Sequence, residues 1–132
     1  MPSFATYDVV LDAPTLLPAP GNPILDITLG FASTVDFGIR SVLSYMVDPG
    51  SASGVTFKMS VSNLLANGSE EFKLIIPETT LPSQHSFVRQ EVIDAGTFAR
   101  VNTGVGVHKL RIHVTAGAAN FSDIVHMYQA SF

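Results

Sequence analysis

The sequence predicts an all-β fold, a two-sheet antiparallel β-sandwich of about eight strands. Two segments, residues 55–62 and 107–114, have the strict alternation of apolar and polar side chains that a half-buried strand requires. Turn residues interrupt the chain at short intervals, and no long amphipathic helical pattern accompanies them. Short strands separated by frequent turns are typical of sandwiches and barrels.

The strand at residues 107–114 places its apolar and polar side chains on opposite faces. The apolar ones are predicted to face the core, whereas Lys109, Arg111 and His113 form a polar row that faces solvent. A helix would distribute both sets around its circumference. Further strands are predicted at residues 6–11, 24–31, 39–47, 71–76, 86–93 and 121–129. The third of these segments also fits a helical spacing of apolar residues, so both structures stay open there.

Glycines and prolines predict where the strands end. The dipeptide Asn67-Gly68 tolerates positive φ at both central turn positions and predicts a hairpin. Residues 14–23 are rich in proline and predict a rigid extended loop, because proline cannot donate to a sheet ladder. Prolines also bound a predicted connection at 77–82, and residues 116–119 are predicted to separate the last two strands.

Length and composition bound the organisation of the chain. Its 132 residues are about the size of one domain and contain no internal repeat or linker, so we expect a single β-sandwich domain over 1–132. The charged fraction is 14%, well below the typical value of about 25%. Small polar residues must therefore cover much of the surface, as is common where subunits meet, and we expect a homo-oligomer.

Charge and hydropathy argue against several kinds of partner. The net charge is −4 and the seven Lys and Arg residues form no basic stripe, so we expect no nucleic acid partner. The apolar runs are far shorter than a membrane span, so we expect no membrane partner. No signal peptide is expected at the N-terminus, and localisation stays open. The absence of cysteine excludes disulfides, thiolate catalysis and cysteine-ligated zinc.

The C-terminal half resembles jelly-roll modules of the galactose-binding-like and carbohydrate-binding type. In such modules an alternating strand ends at an Asn or Gly turn, a polar strand follows, and a glycine-containing approach leads into a strand of the form Gly-x-x-x-Leu-x-Val-x-Val. The corresponding segments here are residues 56–63, 87–93 and 104–112, and the segment 122–128 is similar to the last strand of these modules. The resemblance implies a jelly-roll topology and a glycan as ligand, and it assigns no ligand residue.

No set of residues predicts catalysis, so the chain is not expected to be an enzyme. Ser122, Asp123 and His126 are the residue types of a hydrolytic triad, but neighbours on one strand cannot arrange a nucleophile, a base and an orienting acid. His113 and His126 would meet if the final strands pair, yet a third metal ligand is lacking nearby. The carboxylates are dispersed, which argues against a glycosidase pair and leaves only a structural calcium ion open. No catalytic residue, metal site or cofactor is predicted.

Two functional hypotheses follow from these patterns. The first is a non-enzymatic structural or recognition protein that self-associates, such as a shell, appendage or virion component. The alternative is a carbohydrate-binding module or lectin, in which the ligand-binding residues are predicted to be Lys109, Arg111, His113 and Tyr128.

Overall fold

The structure, a computed structural model, describes residues 3–21, 23–30, 39–49, 54–65, 67–83, 86–95, 97–98 and 108–131. The regular elements of this part are all strands, which confirms the all-β prediction. They are β1 (Ser3–Leu11), β2 (Thr15–Pro18), β3 (Ile24–Leu29), β4 (Ser41–Asp48), β5 (Val55–Leu64), β6 (Glu70–Leu81), β7 (Phe87–Ile93) and β8 (His108–Ser131). None of the described segments is an apolar helix long enough to span a membrane.

The strands pair antiparallel and form two sheets that share β8. The front sheet has the strand order β7-β4-β8-β1 and uses residues 118–131 of β8, with β2 on the same side of β8 as β1. The back sheet has the order β6-β5-β8-β3 and uses residues 108–117 of β8. The predicted two-sheet antiparallel sandwich is confirmed, and the two sheets are continuous through one strand.

The path of β8 corrects the prediction that residues 116–119 form a turn. The chain passes from the back sheet to the front sheet as one strand of 24 residues. Residues 116–117 still pair with β5, and residues 118–119 already pair with β2. Gly117 permits the bend because its φ of 72° lies in the left-handed region that favours glycine. Small residues are compatible with a turn or with a bent strand, and the uninterrupted pairing selects the strand.

The shared strand also separates two histidines that were expected to meet if the final strands paired. His113 lies between β3 and β5 in the back sheet, whereas His126 lies between β1 and β4 in the front sheet. Register irregularities near residues 115 and 123 switch the core-facing positions of β8 from even to odd and back to even. Asp123, at the second irregularity, has a φ of 50°.

Other local predictions have mixed outcomes. The segment 39–47 is a strand over most of its length, since β4 pairs with a neighbour on each side. The hairpin at Asn67-Gly68 is confirmed: Gly68 has a φ of 86° and lies between β5 and β6. The proline-rich segment contains a strand, β2, that was not predicted. Burial of Leu17 in the core stabilises this strand. Pro77 lies inside β6 rather than before a connection, at a register shift of an edge strand where proline is tolerated.

Interlocked aromatic rings occupy the space between the sheets. Phe57 packs edge-to-face on Tyr45 and on Phe121, with ring centroids 6.3 and 5.3 Å apart. All three side chains are buried, and they join strands of both sheets into one core. Phe72 does not belong to this core, because its side chain lies half-buried on the outer face of the back sheet. The glycine-containing approach at residues 104–107 lies outside the described residues.

Candidate functional site

Three of the four residues predicted to bind a ligand lie together on the outer face of the back sheet. Lys109, Arg111 and His113 occupy alternate positions of β8, and each is partly exposed. Tyr128 lies apart from them, on the half of β8 that belongs to the front sheet, where its side chain is 7% exposed and stacks on His126. The structure therefore brings three predicted residues into one polar row and places the fourth within the other sheet.

Arg111 is held from two directions at the centre of this polar row. Its Nε donates to Asp26 Oδ1 at 2.8 Å and its Nη2 donates to Oδ2 at 2.9 Å, a bidentate pair between β8 and β3. Its Cζ lies 3.8 Å from the ring centroid of Phe72, a cation–π contact. The hydrogen bond from Arg111 holds the pKa of Asp26 below its ordinary value, so the pair is ionised at neutral pH.

Two glutamates of β6 contact polar side chains of β8 on the same face. Lys109 Nζ lies 2.8 Å from Glu70 Oε1, and Thr115 Oγ1 donates to Glu78 Oε1 at 2.8 Å. His113 lies opposite Lys58 on β5. The outer face of the back sheet thus presents fixed donors and acceptors of both charge signs, an arrangement suited to hydrogen bonding with a neutral polar ligand.

The outer face of the front sheet is a second candidate surface, and the sequence reasoning missed it. Tyr7, Met127, Val42 and Val92 are register partners on β1, β8, β4 and β7, so they form one apolar row across four strands. Tyr7 is 67% exposed and Val92 is 56% exposed. A shallow depression lies at the β1 end of the row, lined by Ala5, Thr6, Tyr7 and Met127.

A second row extends this apolar surface along the strands. Its register partners are Val9, Val125, Ser44 and Gln90, and the pair Met46 and Val88 follows. None of the side chains in the two rows or in this pair is charged. We call the two rows and this pair together the front face. Five of the large apolar side chains that are exposed among the described residues lie on it: Tyr7, Val9, Val88, Val92 and Met127.

The front face escaped the sequence analysis for a physical reason. Strands that are apolar on both sides lose the alternation that distinguishes an outward position from a core position. In β1 the signal was the unbroken run Val9-Val10-Leu11, of which Val9 points outward while Val10 and Leu11 pack against the core. A continuous apolar run of this kind indicates burial on both sides of a sheet, and only the structure shows that one side is open.

A buried pair in the interior contains a serine and a histidine. His126 Nε2 and Ser41 Oγ lie 2.8 Å apart, and both side chains are buried. Burial lowers the pKa of His126 to about 4, so the ring is neutral at pH 7. The ring also lies 5.7 Å from that of Phe98. We assign this pair to the core, where each partner satisfies the other's hydrogen bond.

The arrangement of possible metal ligands can be stated for the described residues. No group of three His, Asp or Glu side chains gathers closely enough there to hold an ion. Of the residues Ser122, Asp123 and His126, which are the types of a hydrolytic triad, His126 forms its hydrogen bond with Ser41. Asp123 is exposed at the bulge of β8, on the side opposite to the core.

The two sheets, the shared strand and the unlike outer faces define a jelly-roll β-sandwich whose candidate sites are sheet faces. No protein-family model matches the sequence, and no curated protein matches it. The fold is similar to that of the VP2 subviral particle of infectious bursal disease virus, with a TM-score of 0.60 and 12% identity over 95% of this chain and 32% of the viral chain.

Carbohydrate-binding modules share the same fold. The C-terminal family 22 module of Clostridium thermocellum Xyn10B has a TM-score of 0.60 and 12% identity, covering 96% of this chain and 84% of the module. The CBM22-1 xylan-binding domain of Paenibacillus barcinonensis Xyn10C has a TM-score of 0.50 and 18% identity, covering 97% of this chain and 83% of that domain. The chain spans about a third of the length of the viral chains it matches. These identities show a common fold and nothing finer.

Proposed function

We propose that the chain is a single-domain, non-enzymatic structural subunit that self-associates through the front face. The observation that carries this proposal is the uncharged apolar row of Tyr7, Met127, Val42 and Val92, which crosses the whole front sheet and is open to solvent. Contiguous apolar surface of this kind on a soluble chain marks an interaction site.

The size of the exposed apolar surface limits the association to a weak one. Burying an exposed Val, Met or Tyr completely contributes about 1.5–3 kcal/mol, and the five exposed side chains of the front face are already partly covered by neighbours. Burial of the part that is still exposed would therefore contribute about 1 kcal/mol for each side chain, or about 10 kcal/mol for the ten side chains of two copies. Association itself costs about 4–15 kcal/mol in lost freedom, so a net gain of about 6 kcal/mol at most remains and we expect a dissociation constant of tens of micromolar or weaker.

The structural neighbours support an assembly role without fixing it. One of them is the VP2 subviral particle, in which the similar segment is part of a longer chain. The low charged fraction of 14% supports the same role, because charged side chains are depleted at the centre of interfaces.

The test compares two charge insertions at matched positions. Val92→Glu alters the front face on the edge strand β7, and Leu74→Glu alters the outer face of the back sheet on the edge strand β6; the two side chains are 56% and 57% exposed. Light scattering after size exclusion, from about 10 µM to about 500 µM, should show the wild type and Leu74→Glu associating and Val92→Glu monomeric. A monomeric wild type at the highest concentration, or equal effects of both variants, would refute the proposal.

Glycan binding is the second candidate function, and the polar row on the back sheet favours it. Arg111 is fixed by Asp26 and Phe72, so the guanidinium N–H groups that do not donate to Asp26 require little ordering when a hydroxyl group binds. Because a neighbour is a xylan-binding domain, xylohexaose is the appropriate probe. In NMR titrations with this ligand, the amide chemical shifts of Lys109, Arg111 and His113 should change in the wild type. These changes should not occur in Arg111→Ala. Titration of millimolar xylohexaose without any shift change in the row would remove this candidate.

A further inference from the structure

We propose that two copies stack front face against front face, with their strands antiparallel, so that Arg40 of each copy meets Asp48 of the partner subunit. This inference rests on the proposed function, and it adds the orientation of the pair and the residues that set this orientation. The partner is a second copy of this chain related by a two-fold axis.

The two ends of the front face differ in charge, because Arg40 at one end lies next to the exposed Asp94 in the continued register of β4 and β7, whereas the other end is acidic. Arg40 is exposed and immediately precedes β4, and Asp48 is exposed at the last position of the same strand. The two residues are eight positions apart, about 26 Å along an extended strand. Asp123 adds a second carboxylate at the Asp48 end, because the neighbouring Ser122 pairs with Met46 near the end of β4.

This polarity selects one of the two ways in which identical sheets stack about a two-fold axis. An axis in the interface and perpendicular to the strands reverses the strand direction, so that each Arg40 lies over the acidic end of the other copy. An axis parallel to the strands places β4 over β8 of the partner subunit, keeps the strand direction and brings the acidic ends of the two copies together. Like charges in contact disfavour an interface, and opposite charges fix its register, so the first arrangement is selected.

The dimensions of the front face match those of a sheet-on-sheet interface. Four strands spaced about 4.8 Å apart span about 19 Å, and the eight residues of β4 span about 26 Å. The sheet plane is therefore about 500 Å², and projecting side chains raise the accessible area toward the roughly 800 Å² that each partner buries in a stable interface. Two such faces would lie about 10 Å apart, as in the core of a sandwich.

The edge strand of the front sheet is protected, which argues for stacking rather than edge-to-edge pairing. Arg89 and Glu91 of β7 point inward toward Tyr45, whose hydroxyl lies 3.2 Å from Arg89 Nε and 3.4 Å from Glu91 Oε1. Inward-pointing charges are a recognised means by which edge strands avoid pairing with another chain. Attraction to an anionic lipid surface is disfavoured by the net charge of −4.

A charge-reversal pair tests the orientation. In Arg40→Glu and in Asp48→Lys, both symmetric contacts of a pair become like-charged, so each variant alone should dimerise about tenfold more weakly than the wild type. In an equimolar mixture every contact is again between opposite charges, and the wild-type affinity should return. Lys73→Glu, a charge reversal on the exposed edge of the back sheet, is the control and should leave the affinity unchanged. Sedimentation equilibrium measures the affinities, and circular dichroism verifies that each variant is folded.

The outcomes separate this inference from the proposed function. Restored association in the mixture supports antiparallel stacking. A mixture that associates no more tightly than either variant overturns it, as does a wild-type affinity in both single variants; in either case the Val92→Glu result still decides whether the front face is the interface. A wild type that stays monomeric, or that associates only with a different protein, overturns the proposed function and the orientation together.

Discussion

The crossing of β8 between the sheets makes a quantitative prediction about two glycines. Gly117 has a φ of 72°, and a Cβ added there would overlap the carbonyl oxygen of Gly54 and lie 3.1 Å from its carbonyl carbon and 3.3 Å from Val55 Cα. Gly68 has a φ of 86°, but a Cβ there would meet no atom within 4 Å. Both alanine variants therefore incur left-handed strain of about 1–2 kcal/mol, and only Gly117→Ala must also displace backbone, at about 1–3 kcal/mol more.

These magnitudes translate into melting temperatures. An unfolding entropy of about 2.1 cal/mol/K per residue gives about 280 cal/mol/K for this chain, so 1 kcal/mol lowers Tm by about 4 °C. We expect Gly68→Ala to lower Tm by about 4–7 °C and Gly117→Ala by about 7–18 °C. Thermal unfolding followed by circular dichroism measures both. Equal losses in the two variants would show that β8 does not pass close to the start of β5 and would refute the shared-strand description.

Three further outcomes follow from the interior and the polar row. Burial lowers the pKa of His126 to about 4, so between pH 6.5 and pH 4 the unfolded chain binds a proton that the folded chain does not. Denaturant unfolding should therefore show a loss of about 3 kcal/mol of stability over this range. A His126→Asn variant should lose less stability over the same range. Phe57→Ala removes a ring that bridges both sheets and should cost about 3–5 kcal/mol in the same assay, and a cost under about 1 kcal/mol would contradict the packing. Asp26→Asn breaks a partly exposed pair with Arg111 and should cost no more than about 1 kcal/mol, with the difference from wild type shrinking in high salt.

The strands that could be predicted from the sequence are those with one face exposed to solvent and the other face buried. Residues 55–62 alternate strictly, and Phe57, Met59 and Val61 are buried as expected. The turn at Asn67-Gly68 was predictable because few residues adopt its backbone angles.

Other features could not be predicted from local patterns. The composition around Gly117 fits a turn as well as a bent strand, and only pairing with two different partners distinguishes them. Pro77 is acceptable in β6 because the strand is at an edge, which is a property of the whole sheet. The polar row was found from alternation, whereas Tyr128 carried no positional signal and lies in the other sheet. The front face required the register of four strands at once.

Self-association through the front face can be measured from the solvent exposure of methyl groups as a function of protein concentration. A soluble paramagnetic probe enhances the relaxation of exposed methyls, and spectra from about 10 µM to about 500 µM span the expected dissociation constant. We expect the methyls of Val42, Val92 and Met127 to become protected as concentration rises, while those of Leu74 and Ile24 on the back sheet keep their enhancement. Front-face methyls that remain equally exposed across the whole range would contradict it.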